Sequence, residues 1–156
     1  VFENPSPGNI AGGITTLEEK SLGAVQKGGS APLVDVIDYG GTASRPGLTL
    51  LEAPGNDAIS STALAAAGAT MILFTTGRGT PLGFPVPTMK IASNSALAAA
   101  KPGWIDFDAG RVLTEGAVAV DEDFAECLLA TASGRPTAAE TGGQRVIAIW
   151  KRGVTL

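Results

Sequence analysis

The chain has 156 residues, of which 44% are hydrophobic and 17% are charged, and its net charge at pH 7 is −4. This composition is that of a globular protein, and the acidic balance without a basic tract argues against nucleic acid or an anionic membrane surface as a partner. The sequence contains no histidine, which excludes Ser-His-Asp and Cys-His catalysis and histidine-ligated zinc. Acid–base chemistry must therefore use carboxylates, lysine, tyrosine or a metal-bound water.

The cysteine count suggests a cytoplasmic protein, and the first residues suggest a piece of a longer polypeptide. The single cysteine, Cys127, cannot form a disulfide framework, which fits a reducing cytoplasm. No apolar run reaches the roughly 18 residues of a membrane span, and no basic region followed by an apolar one opens the chain. The sequence begins at Val1 with residues typical of the middle of a domain. We expect one cytoplasmic α/β domain over residues 1–156, as a piece of a longer polypeptide.

Two features are predicted near the N-terminus. Residues 1–13 are rich in proline, glycine and asparagine, which favours an ordered loop or extended arm without regular structure. The run Thr16-Leu17-Glu18-Glu19 matches a capping box, in which Thr16 caps a helix and Glu19 returns to the Thr16 amide. The helix is predicted from Leu17 to Gln26, with Lys20 in its second turn and two glycines at its end.

A βαβ unit is predicted next. Apolar segments between turns predict strands at 32–39, 48–52 and 69–74, the last buried on both faces. The second and third strands are joined by an alanine-rich helix over 58–67, capped by Asn56 or Asp57. The right-handed crossover of such a unit makes its two strands parallel. The turn at 54–57 and the loop at 75–80 should therefore share one sheet edge, where free amides at the helix start would favour an anion.

The second half of the chain continues this alternation. Strands are predicted at 86–92, 103–107 and 145–150, the first of them at a sheet edge because Pro87 interrupts it. Helices are predicted from Asn94 or Ser95 to Ala100 and over 122–133, the latter capped by Asp121. Together the elements predict an α/β fold with a mostly parallel, Rossmann-like or flavodoxin-like three-layer sheet that has helices on both faces.

The loop after the 69–74 strand has the strongest chemical character. Small polar residues surround one arginine there, and loops at the ends of buried strands carry binding and catalysis in α/β sheets. The hydroxyls of Thr75 and Thr76 and the planar guanidinium of Arg78 suit a carboxylate or a phosphate. Alternatively, Arg78 pairs with a neighbouring acid and only orders the loop.

Lys90 lies among apolar residues in a predicted strand. A lysine in an apolar setting loses proton affinity and can act as a base. Alternatively, its side chain extends from an edge strand into water.

Asp106 and Asp108 are two residues apart, so in a strand both carboxylates point to one face and could bind a divalent cation. Alternatively, Asp108 caps a turn at Gly110 and Asp106 is solvated. Without histidine, oxygen ligands favour magnesium, calcium or manganese, or iron that takes ligands from elsewhere. Cys127 is predicted as a small thiol in the core.

Motifs spread over nearly the whole chain resemble the altronate and galactarate dehydratase family, its C-terminal part and its altronate branch above all. In chain order these motifs are Asn4-Pro5-Ser6-Pro7-Gly8-Asn9 with Gly12-Gly13, Thr15-Thr16-Leu17-Glu18-Glu19-Lys20-Ser21-Leu22-Gly23, Ala53-Pro54-Gly55-Asn56-Asp57, Phe74-Thr75-Thr76-Gly77-Arg78-Gly79-Thr80-Pro81 with Pro87-Thr88, Trp104-Ile105-Asp106-Phe107, and Gly153-Val154-Thr155-Leu156.

The resemblance implies a cytoplasmic hydro-lyase that removes water from a sugar acid such as D-altronate or D-galactarate and leaves a 2-keto-3-deoxy acid. It also implies a divalent metal, iron in the first place and manganese or magnesium as alternatives, with unknown ligands. Members of the family are longer, so the expected partners are a missing N-terminal domain or a partner subunit, within a homo-oligomer. Where members often carry cysteine after Ser-Leu-Gly, this sequence has Ala24.

The resemblance and the residue chemistry together assign roles. Arg78 and the amides near Asn56 and Asp57 would hold the substrate carboxylate. Thr75, Thr76 and Asn94 would hold the substrate hydroxyls, and Lys90 or Lys20 would transfer protons.

Two other functions stay open at this point. The chain could be a scaffold or oligomerisation domain whose loops complete a site on the missing part. It could also be a sulfo-lyase that acts on sulfolactate, because elimination of sulfite needs similar electrostatics.

Overall fold

The computed structural model describes residues 5–151. Asn4 of the first motif, the start of the loop predicted over 1–13 and the closing motif at 153–156 lie outside the described residues.

The described chain alternates helices and strands and is an α/β protein, as predicted. The helices are α1 Pro7–Ala11, α2 Leu17–Lys27, α3 Asp57–Ala66, α4 Ser95–Ala100, α5 Val112–Glu115, α6 Ala117–Ala132 and α7 Ala138–Thr141, with a 3-10 turn at Ala109–Arg111. The strands are β1 Leu33–Ile37, β2 Leu48–Leu51, β3 Ile72–Thr76, β4 Thr88–Ala92 and β5 Phe107–Asp108. Strands β1 and β2 form one sheet, and β3, β4 and β5 form another in that order.

The chain divides into two compact units, each described by itself. Within the described residues, the first comprises 5–35 with 45–49, and the second comprises 36–44 with 50–151. Among the described residues, every buried side chain belongs to the second unit, which therefore holds the hydrophobic core. None of the helices within residues 5–151 combines the length and apolar character that a membrane span requires. A single domain over 1–156 stays a prediction.

The two N-terminal helices, α1 and α2, each begin directly after a residue that caps them. The segment predicted as a loop contains α1, because Ser6 caps it and Pro7 suits the first helical position. Thr16 caps α2, as predicted, by accepting a hydrogen bond from the Glu19 amide at 3.2 Å. The Glu19 carboxylate, expected on the Thr16 amide, accepts its short hydrogen bonds from the amide and hydroxyl of Thr15, at 2.7 and 2.8 Å, and the Thr16 amide makes a smaller contribution beside them. These bonds hold the pKa of the Glu19 carboxyl below its ordinary value.

Strand β4 is the centre of the three-stranded sheet. It pairs in parallel with β3, from Ile72 beside Thr88 to Thr76 beside Ala92, and with β5 on its other side. All five residues of β4 are buried. The prediction of an edge strand is wrong because Pro87 lies just before the strand and removes no hydrogen bond from it.

One face of this sheet carries the core. Met89 and Ile91 of β4 pack with Phe107 of β5 and Val120 of α6. Cys127 is half-buried against this cluster, in agreement with its prediction as a core thiol.

The expected pairing of the strands on either side of α3 does not occur. Strand β2 pairs with β1, whereas β3 pairs with β4, so the predicted single sheet is divided in two. The third strand also starts later than predicted, at Ile72, because Gly68 turns the chain with φ +109° and the Ala69 amide donates to the Leu64 carbonyl at the end of α3.

Two other predicted boundaries are wrong. The strand predicted over 103–107 is reduced to β5, because the Trp104 amide turns back to the Lys101 carbonyl at 3.0 Å. Helix α6 begins at Ala117, after Gly116 at φ +85°, so Asp121 lies within the helix and does not cap it.

No strand forms at 145–150. Its alternate amides donate to three separate segments and not to one neighbouring strand: Val146 to the Gly83 carbonyl, Ala148 to the Thr62 hydroxyl and Trp150 to the Tyr39 hydroxyl.

Candidate functional site

The loops that follow β3 and β4 meet at the carboxyl edge of the three-stranded sheet. The parallel register places Thr75 beside Ile91 and Thr76 beside Ala92. The Ser93 amide then donates to the Thr76 carbonyl at 3.0 Å, which extends the pairing by one residue. The structure therefore brings together four of the predicted site residues: Thr75, Thr76, Arg78 and Asn94.

Side chains from β4 and α4 hold the backbone of the loop at 77–80, which we call the Arg78 loop. Asn94 Nδ2 donates to the Gly77 carbonyl at 3.1 Å. Lys101 Nζ donates to the Arg78 carbonyl at 3.0 Å, and Lys90 Nζ donates to the Thr80 carbonyl at 3.0 Å. Inside the loop, the Gly79 amide donates to Thr76 Oγ1 at 2.9 Å. Three carbonyls of one short loop are thus fixed by donors from other elements.

The side chain of Arg78 is left available by this arrangement. It is exposed, and no ion pair involves it within residues 5–151. The alternative in which Arg78 pairs with a neighbouring acid is therefore wrong for the described chain. A guanidinium on a loop whose carbonyls are held by other elements, with threonine hydroxyls two and three residues before it, suits a small carboxylate because little reorganisation is needed on binding.

Gly79 fits the loop for two reasons. Its φ of +80° lies in the region that glycine adopts without strain. In addition, a Cβ at this position would lie 3.0 Å from Leu97 Cδ1 and 3.1 Å from Lys101 Cδ. The loop therefore packs closely on α4.

Asn94 contacts the start of α4, the Arg78 loop and Gly110. Its Oδ1 caps α4 by accepting from the Leu97 amide at 2.9 Å, as predicted, while its Nδ2 binds the Gly77 carbonyl. Gly110 approaches it so closely that an added Cβ would overlap the backbone of Asn94 and Ser95. Of the carboxamide's hydrogen-bonding groups, one N–H and one acceptor lone pair are left for a substrate hydroxyl.

Lys90 is enclosed beneath the loop. Its residue is only 1% exposed, so the prediction that it extends from an edge strand into water is wrong. Burial lowers the pKa of its ammonium, and the nearby Asp106 carboxylate opposes that shift. Burial has the larger effect, so Lys90 is more readily neutral than an ordinary lysine.

Replacing Lys90 with methionine should reveal this shifted pKa as a pH-dependent difference in stability. Because the pKa is lowered in the folded protein, the unfolded chain binds the proton more strongly between that value and the ordinary lysine value of 10.5. Raising the pH through this window favours the folded wild-type protein, so its free energy of unfolding should rise relative to that of Lys90→Met. Denaturant titrations at several alkaline pH values measure the difference, and a pH-independent difference would contradict the prediction.

Asp106 is a structural residue that the sequence did not reveal. Its carboxylate accepts from the Lys90 amide and from the Ala138 amide, both at 2.7 Å. It is therefore not simply solvated, and its oxygens are already engaged. Asp108 caps the turn, as the alternative had it, by accepting from the Gly110 amide at 2.9 Å. In the described part of the chain, no three Asp, Glu, Cys or His side chains come together as a metal site.

The turn before α3 uses its donors internally. Asn56 caps the helix, and its Oδ1 accepts from the amides of Ala58 and Ile59 at 3.1 and 3.2 Å. The expectation of free amides there is therefore wrong for these two groups. Asp57 is exposed in the first turn. Among the described residues, no hydrogen bond or ion pair joins Asn56 or Asp57 to the Arg78 loop.

Lys20 belongs to the first unit, whereas the Arg78 loop belongs to the second. Together with Asn9, Ser21, Ala24 and Lys27 it lines an open cleft of about 480 Å³. Ala24 thus shares a cleft with Lys20.

Lys101 is the residue near the Arg78 loop that sequence reasoning missed. It follows the last residue of α4 and lies seven positions after Asn94, a spacing that brings two residues to one side of a helix. Its Nζ also lies 4.5 Å from the centroid of the Trp104 ring. The spacing could have indicated that Lys101 lies on the same side of the helix as Asn94. No local pattern indicated that its ammonium contacts the Arg78 carbonyl.

The protein is of the α/β class, and its parallel sheet presents an arginine, hydroxyls and a carboxamide at the carboxyl edge, a set of groups whose chemistry suits a small anion. Residues 1–155 match the family model described as D-galactarate/Altronate dehydratase, C-terminal. The chain belongs to this family, as the sequence motifs predicted.

Curated relatives agree with this assignment. The chain is 56% identical over 157 residues to an altronate dehydratase of Escherichia coli (strain K12) and 54% identical over 159 residues to one of Bacillus subtilis (strain 168), matched in both cases over 100% of this chain. It is 39% identical over 112 residues to a galactarate dehydratase (L-threo-forming) of Escherichia coli (strain K12), and the matched region covers 71% of this chain and 21% of that relative. The chain spans about a third of the length of the two altronate dehydratases, 32% of each.

Proposed function

We propose that this chain forms the C-terminal part of a hydro-lyase that dehydrates a sugar acid, with D-altronate as the first substrate and D-galactarate as the second. The observation that carries the proposal is the identity of 54–56% to two altronate dehydratases over the whole chain. The exposed guanidinium of Arg78 beside Thr75, Thr76 and Asn94 supports it, because an aldonate offers one carboxylate and a row of hydroxyls to such a site.

The proposed reaction is a β-elimination. A base removes the proton from the carbon beside the carboxylate, and the electron pair forms a carbon–carbon double bond as the hydroxyl on the next carbon leaves with a proton as water. The resulting enol becomes the 2-keto-3-deoxy acid. Negative charge develops on the carboxylate as the proton departs, so donors fixed around that group lower the barrier.

Each candidate residue has a place in this scheme. The Arg78 guanidinium binds the carboxylate and the developing enediolate. Thr75, Thr76 and the remaining groups of Asn94 bind hydroxyls. Lys90 is the proposed base for two reasons. Burial lowers the pKa of its ammonium, and its Nζ donates to the Thr80 carbonyl of the loop that carries Arg78. Lys20 is the alternative base, and the Asn56–Asp57 turn is a second place for the carboxylate.

A divalent metal, iron first and manganese or magnesium after it, is part of the proposal as a Lewis acid that would stabilise the enediolate. Within residues 5–151, no three Asp, Glu, Cys or His side chains gather in one place, so these residues do not offer a full ligand set. Metal ligands would therefore come from the rest of the polypeptide or from a partner subunit. No role of Arg78 or Lys90 depends on that metal.

The proposed setting is a homo-oligomer in the cytoplasm, in agreement with the single cysteine of the sequence. A scaffold role is the competing proposal. None of the described side chains of the first unit is buried, and apolar ones such as Leu22 and Val25 are exposed. This favours a scaffold, because exposed apolar side chains suit a surface that another part of the protein covers.

A chimera tests the proposal. The matched C-terminal part of the Escherichia coli altronate dehydratase is replaced by this chain, and the purified protein is assayed with altronate, galactarate and sulfolactate in the presence of Fe²⁺ or Mn²⁺. We expect altronate to give a 2-keto-3-deoxy acid at a rate within about tenfold of the parent enzyme, because sequences this similar share their core packing. The chain alone is assayed beside it.

The outcomes separate the alternatives. Turnover by the chimera that Arg78→Ala lowers by about 10²–10³-fold supports the hydro-lyase. Turnover that survives Arg78→Ala and the loss of Lys90 identifies the chain as a scaffold. Sulfite release from sulfolactate, without dehydration of altronate, would contradict the hydro-lyase proposal and identify the activity as that of a sulfo-lyase. A folded chimera without any of these activities would overturn the proposal.

A further inference from the structure

The Arg78 carbonyl has a partner that the proposed chemistry does not use. Lys101 Nζ donates to this carbonyl at 3.0 Å from the position that follows α4. The same ammonium lies 4.5 Å from the centroid of the Trp104 ring, so a cation–π contact holds its other side. The Lys101 side chain is therefore fixed at both a backbone acceptor and an aromatic face.

The backbone on either side of Arg78 needs such a restraint. Gly77 and Gly79 flank the arginine, and glycine gives the chain more conformations than any other residue. The carbonyl of Arg78 belongs to the peptide that joins it to Gly79, whose φ is +80°. If that peptide is not held, ψ of Arg78 and φ of Gly79 are free to vary, and the loop no longer has the single backbone conformation that places the guanidinium at the sheet edge. The N–H of this peptide donates to Thr76 Oγ1 inside the loop, and of the three donors from outside the loop Lys101 is the one that binds its carbonyl.

We propose that Lys101 is a positioning residue for Arg78: its ammonium fixes the Arg78–Gly79 peptide so that the guanidinium is preorganised for the carboxylate of the substrate. The proposal rests on the proposed function for the identity of the substrate, but not for the ordering of the loop. A preorganised donor binds more tightly because less conformational freedom is lost on binding. Without the ammonium, only part of the population presents Arg78 correctly, and the apparent affinity falls by that fraction.

The experiment compares Lys101→Met, Lys101→Arg and the control Lys151→Met in the chimera. Methionine keeps the length of the side chain without the charge, whereas arginine restores a cationic donor. Lys151 is exposed, and no hydrogen bond or ion pair within residues 5–151 involves it. Hydrogen exchange of the Gly79 amide reports on the loop, because this amide donates to Thr76 Oγ1. Steady-state kinetics with altronate report on binding and turnover separately.

For Lys101→Met we expect at least fivefold faster exchange at Gly79 and a KM that rises about five- to tenfold, with kcat changed less than twofold. Lys101→Arg should restore both quantities, and Lys151→Met should leave both unchanged. A merely structural role would reduce the amount of folded enzyme, which lowers the apparent kcat and leaves KM as it was.

Unchanged exchange at Gly79 in Lys101→Met would overturn the proposal, and so would an unchanged KM in an active enzyme. If wild-type chimera shows no turnover at all, the proposed function fails, whereas the exchange comparison still decides whether Lys101 orders the Arg78 peptide. The two failures are therefore distinguishable.

Discussion

Arg78→Ala is expected to lower kcat/KM for altronate by about 10²–10³-fold in the chimera, the usual loss when one preorganised donor to a developing oxyanion is removed. The guanidinium is exposed at the sheet edge, and the carbonyls of its loop are fixed by Asn94, Lys101 and Lys90. No reorganisation is then needed when charge develops on the substrate carboxylate. Because that charge grows along the reaction, kcat should fall as well as KM rise, and initial-rate kinetics over a range of altronate concentrations measure both.

Two further variants sharpen this expectation. Arg78→Lys keeps the charge but loses the planar fork, so it should recover part of the activity. Arg145→Ala is the matched control, because Arg145 is also exposed and has no ion pair within residues 5–151. Wild-type kinetics in Arg78→Ala would remove the carboxylate clamp from the proposed mechanism.

Local sequence signals predicted the parts of the site whose physics is local. Asn94 or Ser95 was expected to start α4, and Asn94 caps it, because a side-chain oxygen that caps a helix acts on an amide three residues away. Gly77, Gly79 and Pro81 were expected to end β3 in a loop, since these residues favour turns in any context. The position of Arg78 on that loop followed directly.

Long-range contacts decided what the sequence could not show. Pro87 suggested an edge strand, yet β4 is central because β3 and β5 pair with it on both sides. The burial of Lys90 follows from that pairing. Strand β2 lies in a different sheet from β3, although helix α3 connects them in the order of a βαβ unit. Strand order depends on which strands meet in space, and one sequence does not contain this information directly.

Asp106→Ala is expected to lower the free energy of unfolding by about 3 kcal/mol or more, since hydrogen bonds to a charged group contribute about 1.5–3 kcal/mol each. Its own amide donates to the Lys90 carbonyl at 2.8 Å, while its carboxylate accepts from the Lys90 amide. The side chain thus takes the place of a strand acceptor just before β5 begins. Its other oxygen binds the Ala138 amide, a first-turn donor of α7 without a partner in the helix.

Asparagine at this position should be nearly as harmful as alanine, because its amide nitrogen would face one of the two backbone N–H groups with a second donor. Denaturant-induced unfolding of wild type, Asp106→Ala and Asp106→Asn measures the difference. Asp121→Ala provides the control, since Asp121 is exposed on α6 and its replacement should change the free energy of unfolding by less than about 0.5 kcal/mol.

Losing the Asp106 carboxylate also removes the charge that opposes the lowered pKa of Lys90, so the pKa of that ammonium should fall further in Asp106→Ala. Wild-type stability in both Asp106 variants would show that the β4 and α7 amides find other acceptors, and the base assigned to Lys90 would then lose its structural support.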